Sequence, residues 1–262
     1  MLRALYTAAT GMQSQQINID TIANNIANVN TTGFKQGRAE FQDLLYQNIR
    51  PAGTSSSSST QYPVGLQLGL GVRPVATDRI YRQGDFRQTD NPLDLVIEGK
   101  GFFQVRMPSG EVAYTRDGSF HLNAEGAMVT AEGSPIEPQI TIPADAQSIV
   151  IGGDGTVSVT QAGQTAAQQV GTIQIANFQN PSGLNAIGGN LLLPTSSSGD
   201  ATTANPGENG LGRVNQGFLE SSNVNVVEEM VNMIVAQRAY EVNSKAIKAA
   251  DDMLSQINNL VR

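Results

Sequence analysis

A chain of 262 residues can form one large domain or two modest ones, and its formal net charge of −7 argues against a nucleic-acid or anionic-membrane surface. The absence of cysteine excludes disulfides and thiolate metal sites. No apolar run approaches the roughly 20 residues of a membrane-spanning helix, and residues 1–12 lack the apolar core of a signal peptide. We therefore expect no membrane insertion, and either a cytoplasmic location or export without a cleavable signal.

The first predicted element is a long N-terminal helix. Apolar side chains recur every seven positions at Leu5, Met12, Ile19 and Ile26. This is the period of a coiled-coil seam, and Gly33 lies where a helix C-cap glycine is expected. Four of the seven residues 24–30 are asparagine, a poor helix former, and Asp20 is the only charge between residues 4 and 34. Because the helix has so little intrinsic support, we expect it to form on assembly.

A Ser-rich stretch, residues 51–74, follows this helix and its extension. It is too polar to form a core element by itself, but Leu66, Leu68 and Leu70 alternate near its end. The alternation indicates an extended arm. We expect residues 36–74 to be a connector that docks on a neighbouring subunit.

The middle of the chain, from about residue 72 to residue 218, consists of short alternating runs separated by turn dipeptides. The turns are Ser109-Gly110, Asp117-Gly118, Glu125-Gly126, Glu132-Gly133 and Asp154-Gly155. Such spacing predicts hairpins, and together they predict an antiparallel all-β domain.

A second long helix is predicted at the C-terminus. Its sevenfold stripe is Val226, Met233, Tyr240, Ile247, Leu254 and Val261. Asn225 with Glu228 resembles a capping box, and Glu241 with Lys245 is a favourable i,i+4 pair.

The predicted fold class is therefore α+β, with long terminal helices forming a coiled-coil-like domain and a central antiparallel all-β domain. Residues 1–35 and 222–262 are predicted to form a discontinuous helical assembly domain, residues 36–74 the connector and residues 75–221 the β domain. Periodicity alone fits a helical hairpin within one chain and packing between chains equally well. The position of both helices at chain ends, and the weakness of the first, favour packing between chains.

The sequence offers little for catalysis. The single histidine, His121, alternates with apolar neighbours and is expected on a strand surface, with no second histidine or cysteine to join it. No Gly-x-Ser-x-Gly elbow or phosphate-binding glycine loop is present. The carboxylate pairs Glu228-Glu229 and Asp251-Asp252 are expected on solvated helix faces. We expect no enzymatic activity, no cofactor and no metal.

Four segments in order resemble the bacterial flagellar rod and hook proteins. The segments are 18–35, 83–105, 114–136 and 225–247. The family-motif residues are Asn25, Asn28, Gly33, Phe34, Gln237, Arg238 and Tyr240. Chain length and residues 46–74 are most similar to the distal rod subunits of that family.

The resemblance implies a structural subunit that is exported unfolded through the flagellar type III apparatus and polymerises helically into a hollow, torque-transmitting drive shaft across the periplasm. The helices would line the channel and the β domain would lie outside. Implied partners are further copies of the chain, proximal rod proteins, the hook protein, the periplasmic and outer-membrane bushing rings, the export apparatus and a rod cap. The alternatives are another rod protein or a short hook protein and, more remotely, a peptidoglycan hydrolase using Glu98 or Glu111.

Overall fold

A computed structural model describes residues 2–54, 61–161 and 166–260. Two compact units make up the chain. The helical unit contains Met1–Ile26, Gly37–Asp78 and Asn225–Arg262, and the β unit contains Ala27–Gln36 and Arg79–Val224. The stripe residue Val261 lies outside the described residues, as do residues 55–60 of the Ser-rich stretch.

Two long helices and nineteen short strands are found in the described part of the chain. The helices are α1 (Leu2–Ala27) and α2 (Val226–Leu260). The strands are β1 (Gly37–Asp43), β2 (Tyr46–Arg50), β3 (Leu66–Gly69), β4 (Val72–Arg79), β5 (Phe86–Gln88), β6 (Leu95–Glu98), β7 (Phe102–Arg106), β8 (Val112–Thr115), β9 (His121–Leu122), β10 (Met128–Val129), β11 (Ala146–Ile151), β12 (Thr156–Gln161), β13 (Gln168–Thr172), β14 (Ile175–Asn177), β15 (Asn185–Gly188), β16 (Leu191–Leu193), β17 (Thr202–Ala204), β18 (Arg213–Gln216) and β19 (Phe218–Glu220).

Within the helical unit, α1 and α2 lie side by side and run antiparallel. The Asn25 amide donates to the Glu229 carboxylate, and a side chain at Gly11 would come within 2.9 Å of Asn243. These two contacts are separated by fourteen residues on each helix, in opposite chain directions. The alternative of a hairpin within one chain is therefore present in the structure.

The start of α2 is capped by Asn225, which is one half of the predicted capping box. The Asn225 side-chain oxygen accepts hydrogen bonds from the backbone N–H groups of Val227 and Glu228, at 3.1 and 3.4 Å. The predicted i,i+4 pair was Glu241 with Lys245. In the structure the Glu241 carboxylate instead pairs with Arg238, three residues before it, at 2.9 Å.

The end of α1 differs from the prediction. The helix ends at Ala27, so Gly33 is not its C-cap glycine. Asn28 and Thr31 instead close a turn, with the Thr31 N–H donating to the Asn28 carbonyl at 3.1 Å and the Thr31 hydroxyl to the Asn28 side chain at 3.1 Å. Asparagine competes with the helix by bonding locally in this way, which is the physical reason for the early end.

The segment after this turn forms a two-stranded ribbon in the helical unit. Strand β1 pairs with β4, and β2 pairs antiparallel with β3. The Leu44 N–H donates to the Gly71 carbonyl at 2.8 Å where the two pairs meet. Several apolar side chains of the ribbon are exposed: Leu45, Tyr46, Ile49, Val64, Leu66, Leu68 and Val75.

The β unit is built on a six-stranded sheet in the order β15-β16-β8-β7-β14-β17, accompanied by a three-stranded sheet, β11-β12-β13. The paired strands whose registers are known are antiparallel. One apolar core joins strands of both sheets: Leu95, Ile97, Phe103, Phe120, Met128, Ile136, Ile140, Val157, Val159, Ile173 and Ile175 are among its most buried members.

Three predicted turns join paired strands. They are Ser109-Gly110 between β7 and β8, Glu125-Gly126 between β9 and β10, and Asp154-Gly155 between β11 and β12. The predicted hairpin at Asp117-Gly118 is wrong, because β8 pairs with β16 and β7 rather than β9, and the Gly118 carbonyl accepts from the Leu95 N–H.

The α+β class, with two terminal helices and a central antiparallel region, is confirmed, but a coiled-coil-like pairing of the helices is not. The deepest helix positions are Ala8, Ser14, Ile22 and Asn25 on α1 and Glu229, Ala236 and Ala250 on α2. Small and polar residues thus occupy places where a coiled coil would have large apolar ones. Among the described residues, no helix is long and apolar enough to cross a membrane.

Candidate assembly site

Helix α2 is apolar on two opposite faces. One face lies towards α1 and carries the buried residues Glu229, Ala236 and Ala250. The opposite face carries exposed apolar side chains: Val227, Val231, Ile234, Val235 and Val242, each more than half exposed. Their spacing of three, four, seven and eight residues places them on one stripe. We call these five residues the outer face of α2.

The predicted heptad stripe of α2 belongs to the inner face. Met233, Ile247 and Leu254 are half-buried, while Val226 and Tyr240 are about 37% and 38% exposed. The predicted stripe of α1 is likewise half-buried along its length: Leu5, Met12, Ile19 and Ile26. An α-helix has 3.6 residues per turn, so a strict sevenfold row drifts to the edge of a buried face. The outer face of α2 was not singled out from sequence.

The family-motif residues of α2 lie on different faces, since Tyr240 belongs to the inner face. Arg238 is exposed, falls within the stripe and pairs with Glu241, while Gln237 is exposed. The family-motif residue Asn25 of α1 differs from these, because it is buried within its own chain.

Asn25 joins three parts of the helical unit. Its amide nitrogen donates to the Gly37 carbonyl at 2.8 Å and to the Glu229 carboxylate at 3.1 Å, while its oxygen accepts from the Gly37 N–H at 2.8 Å. The side chain therefore acts as a strand partner for Gly37 at the start of β1 and fixes the register of α1 on α2. An amide suits this position because it both donates and accepts.

Gly33 and Phe34 belong to the β unit. The Gly33 N–H donates to the Glu220 carbonyl at 2.8 Å, and the backbone has φ +70°. A side chain at Gly33 would lie 2.7 Å from the carbonyl carbon of Arg116, so the position requires glycine for both conformation and space. The Phe34 N–H donates to the Thr31 carbonyl at 3.3 Å.

A buried charge cluster follows directly on this motif. Lys35 Nζ lies 2.5 Å from Glu220 Oε1, and Arg116 Nη1 lies 3.5 Å from Glu220 Oε2. Lys35 also donates to the Arg82 carbonyl, and the Gly84 N–H donates to Glu220. The side chains of the three charged residues are no more than 7% exposed, so the cluster ties the motif segment to the β unit.

Burial lowers the pKa of Lys35 below its ordinary 10.5, and the Glu220 carboxylate opposes this shift. Burial also lowers the pKa of Arg116, again opposed mainly by Glu220. Both shifts have the same cause, because removing a cation from water disfavours its charged form.

The cluster has no clear signature in the sequence. Lys35, Arg116 and Glu220 are far apart in sequence, and each resembles an ordinary surface charge next to a turn. One available signal is that Glu220 directly follows the apolar pair Phe218-Leu219 at the end of a strand.

The expectation that both carboxylate pairs of α2 are solvated is wrong for Glu229, which is buried and accepts from the Asn25 amide, whereas Glu228, Asp251 and Asp252 are exposed.

The histidine and the two glutamates considered for catalysis are at the surface. His121, Glu98 and Glu111 are exposed, and Glu98 accepts a hydrogen bond from Asn215. The exposed apolar side chains of α2 and of the ribbon are typical of a structural protein that associates with other subunits.

Three family models match the chain. They are the flagellar hook protein FlgE/F/G D1 domain over residues 96–159, the flagellar basal body rod FlgEFG protein C-terminal region over residues 215–260, and the flagella basal body rod protein model over residues 5–35.

Curated relatives match along the full length. The flagellar basal-body rod protein FlgG of Buchnera aphidicola subsp. Schizaphis graminum is 52% identical over 99% of this chain and 100% of its own length. FlgG of Borreliella burgdorferi is 50% identical over 100% of both chains, and FlgG of Caulobacter vibrioides is 52% identical over 99% of both. The chain therefore belongs to the FlgG family of flagellar basal-body rod proteins, and it is a structural subunit of the distal rod rather than an enzyme.

Proposed function

We propose that the chain polymerises helically with further copies of itself into a hollow shaft, and that the outer face of α2 is the principal contact between copies. The observation that carries this proposal is the two-sided apolar character of α2. A helix with apolar side chains on two faces is expected to bury both, yet α2 buries only the face towards α1 within its own unit. Contiguous exposed apolar surface of this kind marks an association site.

The exposed apolar side chains of the ribbon support a second contact. Leu45 is 85% exposed and Val64 is 72% exposed. Apolar surface is therefore left uncovered on a ribbon that is only two strands wide. An isolated two-stranded ribbon is marginally stable in water. We therefore propose that the ribbon packs on a neighbouring subunit and stiffens the polymer.

We also propose where the polymer lies in the cell and which proteins it contacts. The chain is exported without a cleavable signal through the flagellar export apparatus and assembles under a rod cap. Its shaft crosses the periplasm, meets proximal rod proteins at one end and the hook protein at the other, and turns within the periplasmic and outer-membrane bushing rings. Family membership supports this placement, and immunogold labelling of purified basal bodies tests it.

Charge substitution on the outer face of α2 tests the polymer contact. Ile234→Glu places a carboxylate within the apolar stripe and should abolish rods in a strain that carries only this variant, because burying an unpaired charge between subunits is costly. The monomer should lose less than about 0.5 kcal/mol of stability, since the side chain is exposed there.

Asn232→Glu is the matched control. It adds the same charge at an exposed α2 position outside the outer face and should leave rods intact. Normal rods with Ile234→Glu, or equal loss with both variants, would contradict the proposed contact.

A further inference from the structure

A cavity of about 320 Å³ opens into the β unit beside the buried charge cluster. Aromatic side chains line part of it, with Phe102 standing edge-on to Tyr81 at 5.6 Å and to Phe178 at 5.9 Å between ring centroids. Two cations, Lys100 and Arg116, also line it. The cavity lies within the usual size range of small-ligand sites and combines apolar walls with a few charged groups.

The charges around this cavity do not balance. Lys35 and Arg116 are both buried, and Glu220 is the single carboxylate with which they pair among the described residues. The three groups together carry one net positive charge away from water. A buried cation without full compensation is costly, so an anion at the cavity is favoured over a neutral molecule of the same shape.

Arg116 retains a hydrogen-bond donor. Its Nη1 donates to the Ile97 carbonyl at 3.1 Å and its Nη2 to the Gly99 carbonyl at 2.6 Å. Its Nε is buried and has no hydrogen-bond partner among the described residues. Lys100 is exposed at the same cavity, and the described residues offer its ammonium group no hydrogen bond or ion pair.

We propose that this cavity binds a carboxylate attached to a small flat apolar body. The carboxylate accepts from Arg116 Nε and is attracted by Lys100, while the apolar body lies against Phe102 and Phe178. Guanidinium is well suited to carboxylate, since its donors are fixed in a plane and the resulting bonds are charge-assisted. The natural source is either an acidic side chain next to an apolar one on a second copy of the chain, or a free small-molecule acid.

Phenylacetate is the probe, and phenylacetamide is its uncharged counterpart. Titrated into the full-length ¹⁵N-labelled chain, phenylacetate should produce saturable shifts at the Gly101 and Asn177 amides and at the Arg116 Nε–H, with a Kd in the millimolar range expected for about ten non-hydrogen atoms. Phenylacetamide should bind about fivefold more weakly or worse, because it lacks the charge-assisted bond.

Lys100→Gln should raise the Kd of phenylacetate about threefold, since it removes one of the two cations at the cavity. Arg87→Gln removes the same charge from an exposed position on β5 and should leave the Kd unchanged. Equal affinity for acid and amide, shifts elsewhere only, or equal effects of the two substitutions would overturn the proposal.

A photo-crosslinking experiment identifies where the carboxylate comes from, and its outcome is independent of the phenylacetate titration. A photo-crosslinker at Gln179, an exposed residue at the cavity, is activated in assembled rods, and the captured peptide is mapped by mass spectrometry. Capture of an acidic segment of another copy assigns the carboxylate to the neighbour. Retained phenylacetate binding without such capture assigns it to a free acid.

Discussion

Removing the charge of Glu220 should destabilise the β unit severely. Glu220→Gln keeps the shape of the side chain but leaves Lys35 and Arg116 as two buried cations without a counter-ion. The single Gln oxygen can still accept from both Lys35 and the Gly84 N–H, as Glu220 Oε1 does. The new amide N–H₂ at the Oε2 position, however, then faces the Arg116 guanidinium, which is also a donor.

The size of the expected loss of unfolding free energy follows from the burial of the charged groups. Breaking a buried ion pair by removing one partner typically costs about 3–5 kcal/mol, and the 1% exposure of Glu220 and 3% exposure of Lys35 place this cluster in that class. With a urea m-value of roughly 2 kcal/mol per molar, a loss of about 3 kcal/mol lowers the midpoint by about 1.5 M.

Urea unfolding monitored through amide resonances of the buried strand residues Phe103 and Val157 measures this loss in the β unit itself. Glu111→Gln, which neutralises an exposed carboxylate of the same unit, is the matched control and should change stability by less than about 0.5 kcal/mol. A Glu220→Gln cost below about 1 kcal/mol would refute the reasoning from burial.

A double-mutant cycle separates the charge effect from packing. If Lys35→Met is combined with Glu220→Gln, the double variant should be less destabilised than the sum of the single variants by more than about 1 kcal/mol, because only one buried cation then remains. Strict additivity would mean that Glu220 acts through its shape alone.

Two further substitutions test backbone constraints. Gly33→Ala should cost about 2 kcal/mol or more in urea unfolding, because alanine at φ +70° is strained and meets the Arg116 carbonyl, whereas Gly110→Ala, with φ +89° and open space, should cost only about 1 kcal/mol. Asn25→Ala should cost about 2–3 kcal/mol, because it strips hydrogen bonds from buried groups, whereas Ala at the exposed Gln13 should be nearly neutral. Equal costs within either pair would contradict the corresponding argument.

The sequence alone determined the order and kind of the elements. Sevenfold apolar spacing and few turn residues at the ends gave long helices, and short alternating runs between Gly-containing dipeptides gave antiparallel strands. These are local properties of the chain, because side-chain period and turn preference act over a few residues. The motif segments by themselves also indicate the family, and the full-length relatives confirm it.

The tertiary structure decided where each side chain lies. Sequence periodicity predicted apolar stripes but not that Asn25 and Glu229 would be among the most buried groups on the helices, nor which face of α2 would remain exposed. Lys35 and Glu220 are 185 residues apart and meet only when the segment after α1 packs beside β19. Burial and charge pairing depend on contacts distant in sequence, so only the folded chain reveals the buried cluster and the cavity beside it.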